Sequence, residues 1–414
     1  MDVKRLLLLA ILTGALGACS RTGSKTEEMT ESFSSVKCQG KSAIMNEFIV
    51  QWEDGSFTVE QGADPETFRE EFVRPREHEI RFVQINQRVY QLNPVELQSE
   101  ISHQAGFYPD DWGQARVEAS AAWSAGYKGQ GVKVGVIDSQ VNIQHPQLNP
   151  RIAVNYAEIA GNGIDDDGNG VVDDVYGANF MSVGTNTGKN EHGSHVAGVI
   201  AADPRRGWMS GVAPEAQIVA AGFLDDSGSG TLGDAVKAMD YAVARGAKIL
   251  NASWGGSGCD LALANAFAKY SSQGVLLVVA AGNSGIDIDS YGFFPAAFEY
   301  ATQITVGASG FSDIMPTWSN NGFTHVHLTA PGEDIVSTGL GNSYLSMDGT
   351  SMATPFVAGA AAVLWSAKPQ ATATQIKQAL LSSVDVISGK QSKTLTRGRL
   401  NVRKALSELQ RIVP

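Results

Sequence analysis

Cysteine is scarce in this chain, with three in 414 residues. So few cannot build the dense disulfide framework of small secreted scaffolds, and the fold must rest on an apolar core. Positive charge is also short. Lys and Arg number 31 against 43 Asp and Glu, for a net charge of −12. That balance argues against a nucleic-acid partner, which needs a basic face. Beyond a short run at residues 6–16, no segment has the length and apolarity of a membrane-spanning helix. Disorder is excluded as well, because 43% apolar and 18% charged residues describe an ordinary globular protein with a sizeable core.

What is present begins with a targeting signal. Lys4 and Arg5 precede the apolar run at 6–16, which is too short to span a bilayer and fits a signal peptide over residues 1–18. The run ends in Leu16-Gly17-Ala18-Cys19, which resembles the lipobox of bacterial lipoproteins. The resemblance implies that Cys19 is lipidated and becomes the first mature residue. An exported cell-envelope lipoprotein is therefore expected, at the outer membrane or cell surface, held to the membrane through that lipid. With Cys19 so used, Cys38 and Cys259 either pair or stay free thiols. Residues 19–37 are polar and read as a tether.

Residues 47–53 and 79–92 read as strands flanking a short helix within 65–72. They form a small α+β module inside residues 38–105. Over residues 106–414 the pattern changes. Apolar strands at 132–137, 217–223, 248–253, 275–281 and 303–308 alternate with helical stretches at 233–245, 261–273 and 352–367. That alternation predicts an α/β fold with a mostly parallel sheet and helices on both faces. Working residues in such sheets collect at the carboxyl ends of strands.

Four polar residues stand at such places. Asp138 follows the strand at 132–137, where an Asp most often serves a turn. His192 opens a helix of small residues. His195, three positions on, raises a metal reading, but the i, i+4 spacing and the Glu of the zinc helix are absent. Asn283 follows the strand at 275–281 between glycines. Ser351 starts the helix at 352–367, where a cap is its commonest use and where free N–H groups also suit an oxyanion. The G-x-S-x-G turn of α/β-hydrolases is missing, since Ala353 stands at the second Gly position.

In combination these segments are diagnostic. Val136-Ile-Asp-Ser139, His192-Gly-Ser-His-Val-Ala-Gly198, Ala281-Gly-Asn283 and Gly349-Thr-Ser-Met-Ala-Thr-Pro355 resemble the motifs of the subtilisin-like serine proteases, from about residue 112 to 405. The resemblance implies a serine endopeptidase acting on proteins or peptides, as a monomer without a catalytic metal. Ser351 would be the nucleophile, His192 the base, Asp138 the residue that orients the base, and Asn283 the oxyanion donor with the Ser351 N–H. Ser253, Trp254 and Gly255, with Ser227, Gly228 and Gly230, match the segments that flank substrate, and Gly282 joins them. Their glycines would let a peptide approach closely. Gln140 departs from the family pattern and is expected to alter the turn beside Asp138. Ser194, Phe356 and Ser284 are milder departures, and neutral Ser284 lowers any expectation of a basic substrate residue.

An acidic loop lies at 161–177. Asp165, Asp167, Asn169, the main chain of Val171, and Asp173 follow the early positions of an EF-hand loop, although Tyr176 stands where the closing acid belongs. Many family members carry a similar insertion that binds structural calcium, and Ca2+ is expected here. The family resemblance also implies that the module within 38–105 is a propeptide acting as an intramolecular inhibitor. Its removal is expected near residues 97–106, freeing the catalytic domain from the lipid anchor.

Overall fold

The computed structural model describes residues 43–92, 97–98, 111–182, 188–258, 260–387 and 392–414. Cys19, Cys38 and Cys259, with their expected lipid and disulfide, lie outside the described residues.

The N-terminal module is an antiparallel sheet of β1 (Ala43–Trp52), β2 (Phe57–Gln61) and β3 (Ile80–Gln91), with β1 in the middle. Alternation sets its two faces. Phe48 and Val50 point into the module's own core with Phe68, Val73, Ile80, Val83 and Ile85. Ile49, between them in sequence, points the other way and joins the core of the larger domain. A separate two-residue strand, β4 (Leu97–Gln98), comes next in the chain.

The larger domain is built on β5 (Lys133–Ser139), β6 (Ala178–Asn179), β7 (Gln217–Leu224), β8 (Ser229–Thr231), β9 (Ile249–Ala252), β10 (Trp254–Gly255), β11 (Leu276–Ala280), β12 (Gln303–Ser309), β13 (Leu328–Pro331), β14 (Ile335–Thr338), β15 (Tyr344–Met347), β16 (Asp385–Val386) and β17 (Gly398–Arg399). Nine of these form one sheet in the order β16-β17-β13-β12-β11-β9-β5-β7-β6, parallel except for β16. β8 and β10 lie outside it and pair with β3 of the module.

Both faces of the large sheet are buried, as the near-continuous apolar strands require. Val134, Val136, Ile218, Ile249, Val278 and Ile304 face the helices His192–Ala201 and Thr350–Ala367. The alternate residues Ile137, Val219, Ala221, Leu250, Leu277 and Val279 face the helices Leu232–Ala244 and Leu261–Ser272. Each fully buried Val, Leu or Ile contributes roughly 1.5–3 kcal/mol relative to exposure, so this two-sided packing dominates the stability of the domain. The helix Thr350–Ala367 has the 18 residues and the mean hydropathy of 1.2 that would suit a membrane span, contrary to the sequence expectation. It is 89% buried inside the protein, which makes it the central core helix.

The module docks on the N-termini of two of these helices. Gln84 Oε1 accepts the N–H groups of Leu261 and Ala262, both at 3.1 Å. Asn86 Oδ1 accepts the Gly233 N–H at 3.0 Å. Module side chains thus satisfy first-turn donors that a helix cannot satisfy itself.

Gly211 holds the end of the His192 helix. A Cβ there would lie 2.4 Å from the Ala201 nitrogen and 2.5 Å from the Ala202 nitrogen, both main-chain atoms. Gly211→Ala is therefore expected to cost about 1–3 kcal/mol. A clear fall in the thermal midpoint would show this, and an unchanged midpoint would contradict it.

Candidate active site

Asp138 and Ser351 are fully buried and His192 is 1% exposed. Asp138 ends β5 one residue short of its last, at the carboxyl edge of the sheet. His192 opens its helix. Between them runs a hydrogen bond of 2.7 Å from His192 Nδ1 to Asp138 Oδ1. Asp138 Oδ1 also accepts the Ser139 N–H at 2.7 Å. The Ser139 hydroxyl in turn accepts the Gly193 N–H at 2.9 Å, which ties the strand end to the helix start. With Nδ1 committed as donor, the acceptor lone pair of a neutral ring sits on Nε2. That buried nitrogen has no hydrogen-bond partner among the described residues. Gln140 is exposed, and the β5–β7 pairing shifts register beside it, between Asp138 and Ser139, yet the Asp138–His192 bond is intact.

His195 is not part of a metal pair. Its Nε2 bonds to the Ile335 carbonyl at 2.8 Å, and burial pushes its pKa down to about 3.

Ser351 sits in the first turn of its helix and donates from Oγ to the Ser253 carbonyl at 3.0 Å. The Ser253 hydroxyl returns a bond to the Ser351 carbonyl at 3.0 Å, and Asn251 Nδ2 supports that hydroxyl at 3.0 Å. Asn283 Oδ1 accepts both the Thr350 N–H at 2.9 Å and the Thr350 hydroxyl at 2.8 Å. The main-chain donor decides the amide orientation, so Nδ2 is the end turned away from Thr350. Gly282, with φ of 105°, donates to the same Thr350 hydroxyl at 3.0 Å. Asn320, fully buried, braces the loop from behind. Its Nδ2 donates to the Ala281 carbonyl at 2.8 Å, and its Oδ1 accepts the N–H groups of Ser284 and Ile286 at 3.0 and 3.1 Å. Sequence reasoning missed Thr350 and Asn320. Thr350 adjoins Ser351 in the quoted motif and was the readable signal, whereas nothing marks Asn320.

The substrate-flanking segments are β8 with its preceding turn, and β10. Ser227 turns its hydroxyl to Asp225 at 2.6 Å, so it serves the turn. The Trp254 side chain is fully buried, stacked edge-on against Phe223 and donating to the Ile137 carbonyl at 2.9 Å, which leaves its main chain to the cleft. A Cβ at Gly228 would strike the Gln91 side chain at 2.3 Å, and its φ of 75° by itself favours glycine. At Gly230 and Gly255 a Cβ would meet the Phe223 and Phe294 carbonyls, at 2.5 and 2.7 Å, and these two glycines lie opposite Val89 and Tyr90 of β3.

In the acidic loop, ligand atoms of Glu158, Asp165 and Asp167 lie within 4.8 Å of one another. Glu158 was missed because it precedes the EF-hand spacing. Asp173 is turned elsewhere, accepting the Asn162 and Gly163 N–H groups at 3.1 Å each. Asn169 Oδ1 accepts the Val171 N–H at 2.8 Å. Asp165 accepts the Asn169 and Gly170 N–H groups at 3.0 and 2.8 Å, which folds the loop back on its first acidic residue. Hard carboxylate oxygens suit Ca2+, and among the described residues none of the three carboxylates is in an ion pair.

The sequence pattern of the subtilase family matches residues 129–405. The chain is 36% identical over 279 residues to the thermophilic serine proteinase of Bacillus sp. (strain AK1), covering 67% of this chain and 62% of that protein, a little under two thirds of its length. It is 35% identical over 274 residues to subtilisin DY of Bacillus licheniformis, covering 66% of this chain and 90% of that protein. It is 36% identical over 286 residues to an alkaline protease of Shouchella clausii, covering 69% and 67%.

Burial also depresses the pKa of His327 to about 3. Unfolded, His195 and His327 take up protons near their ordinary value of about 6.5. Their contribution is whole above that pH and is lost as pH falls from about 6.5 towards 3. The urea midpoint is expected to decline over this window, with a shallower slope in His195→Gln. An unchanged slope in that variant would remove His195 from the explanation.

Proposed function

The chain belongs to the subtilase family and is a serine endopeptidase, and from that premise we propose that Ser351, His192, Asp138 and Asn283 carry its reaction. The observation that carries this reading is the buried 2.7 Å bond between His192 Nδ1 and Asp138 Oδ1, which leaves Nε2 as the base. Ser351 Oγ attacks the substrate carbonyl and yields its proton to His192, which passes it to the leaving amine. Asp138 holds the ring and stabilises the imidazolium. The developing oxyanion is met by Asn283 Nδ2 and the Ser351 N–H at the helix start. Thr350 and Asn320 position Asn283.

The enzyme is made as a zymogen in this reading, with the module of residues 38–105 as its intramolecular inhibitor. Support comes from β3, which fills the position between β8 and β10 that an extended substrate would take. Residues 1–18 act as an export signal and Cys19 as a lipid-anchored first residue, on the strength of the sequence motif. The catalytic domain is monomeric and leaves the anchor when the module is cut away. Glu158, Asp165 and Asp167 would hold one structural Ca2+, which fixes the acidic loop and takes no part in the chemistry.

The residue roles are tested by labelling with a fluorophosphonate and by casein hydrolysis. Wild type is expected to label at Ser351 and digest casein, and Ser351→Ala to do neither. Label mapped to another residue would sink the assignment. Asn283→Ala is expected to lose about 100- to 1000-fold in kcat with KM nearly unchanged. For the cation, a chelator is expected to lower the thermal midpoint of wild type, and Asp165→Asn to be insensitive to it. Equal response of the two proteins would exclude this site.

A further inference from the structure

Strand β3 runs beyond its own sheet into the cleft. Arg88, Val89 and Tyr90 lie opposite Thr231, Gly230 and Ser229 on one edge. Tyr90 and Gln91 lie opposite Gly255 and Trp254 on the other. The Gln91 N–H donates to the Gly228 carbonyl at 2.7 Å, and Asn190 Nδ2 donates to Gln91 Oε1 at 2.8 Å. Two consecutive antiparallel pairs fix the register of the next residue in the strand direction. Continued by one step, this register would set Leu92 opposite Ser253. Ser253 is the residue whose carbonyl accepts the Ser351 Oγ bond at 3.0 Å. The register would therefore deliver the Leu92 carbonyl to Ser351.

The side chain gives an independent reading. Leu92 is 7% exposed and belongs to a small apolar cluster with Ala280, Ala281, Ile288, Phe293, Ala296 and Val326. Ala280 and Ala281 directly precede Gly282 and Asn283, so the cluster adjoins the oxyanion donor. Phe293 forms a wall of it. Its Cε1 would be 2.8 Å from a Cβ on Gly255 and 3.0 Å from one on Gly282, so the ring lies against β10 and the loop that carries Asn283. This lining is apolar, and a charge placed against it would lose hydration.

We infer that Leu92 is the acyl-side residue of the chain's own processing bond, and that the pocket it fills selects substrates with a mid-sized aliphatic side chain at that position. This rests on the serine-peptidase roles proposed above and adds the substrate class. Ser351 Oγ adds to the Leu92 carbonyl carbon as its proton passes to His192. The bond to the nitrogen of Asn93 breaks, and that amine takes the proton. Water then hydrolyses the ester, releasing the Leu92 carboxylate and restoring the Ser351 hydroxyl. The cut precedes the 97–106 window expected from sequence.

Full-length protein is purified, and its first cleavage is read by intact mass and N-terminal sequencing. The result expected is a new N-terminus at Asn93, and Leu92→Asp is expected to slow that cut at least 100-fold. The processed enzyme is then given reporter peptides Val-Tyr-Gln-X, where X is Leu, Phe, Lys or Glu. Leu is expected to exceed Lys and Glu at least 10-fold in kcat/KM, and Phe293→Ala to raise the ratio of Phe to Leu. A first cut elsewhere, or Lys or Glu as the best residue, overturns the inference. Fluorophosphonate labelling of the same preparation separates the two levels. Label on Ser351 with a cut elsewhere rejects Leu92 and leaves the serine mechanism standing, whereas no label rejects both.

Discussion

The hydrogen bond from His192 to Asp138 joins two residues 54 positions apart, and much of the domain exists to hold it. One partner is fixed by β5, an interior strand paired on both edges, with β7 and β9. The other is fixed by a helix whose every residue is buried. Ser139 links the two elements through its own hydroxyl, so ring and carboxylate cannot drift apart without breaking a second bond. Ser351 enters from a third element, the core helix, and is tied to Ser253 by bonds in both directions. Strand ends and helix starts thus meet at one edge of the sheet, and the packing beneath them is rigid because it is close to crystalline density.

The module is attached through groups that the catalytic domain leaves unsatisfied. Two helices present their first-turn N–H groups to it, and Gln84 and Asn86 accept them. Asp260, at the cap of one of these helices, is buried and its pKa is raised to about 6. Two exposed strand edges receive β3. These polar contacts are to main chain or to a helix end, and Ile49, Phe57, Val59, Phe82 and Val89 add apolar packing against the domain core. The interface therefore uses the polar deficits that secondary structure creates at its ends.

The legible part of the site was that carried by local context. Asp138, His192, Asn283 and Ser351 each sit at the end of an apolar strand or at the start of a small-residue helix, and the strands and helices themselves form close to the expected bounds. What stayed hidden depends on contacts across the chain. The clamp on Asn283 comes from Thr350, 67 residues away. Glu158 reaches the acidic loop from before the spacing that marks it. The hydroxyl of Ser227 serves Asp225 within its own turn, and the side chain of Trp254 is buried against Phe223. The backbone of Gly228 has φ of 75°, and a Cβ at Gly230 or Gly255 would strike a main-chain carbonyl, demands that a pattern of small residues does not spell out. Gln140 looked disruptive in sequence because a side chain replaces hydrogen at a turn. It is tolerated because that side chain points to solvent.

Between β8 and β10 the strand β3 is gripped along both of its edges at once. A segment can enter only if none of its own N–H and C=O groups over some four residues is already engaged. A helix fails this requirement, and so does a strand inside a sheet. The cleft therefore discriminates by conformational state before it discriminates by side chain. The rate at which this enzyme cuts a folded protein becomes a measure of how often that protein locally unfolds.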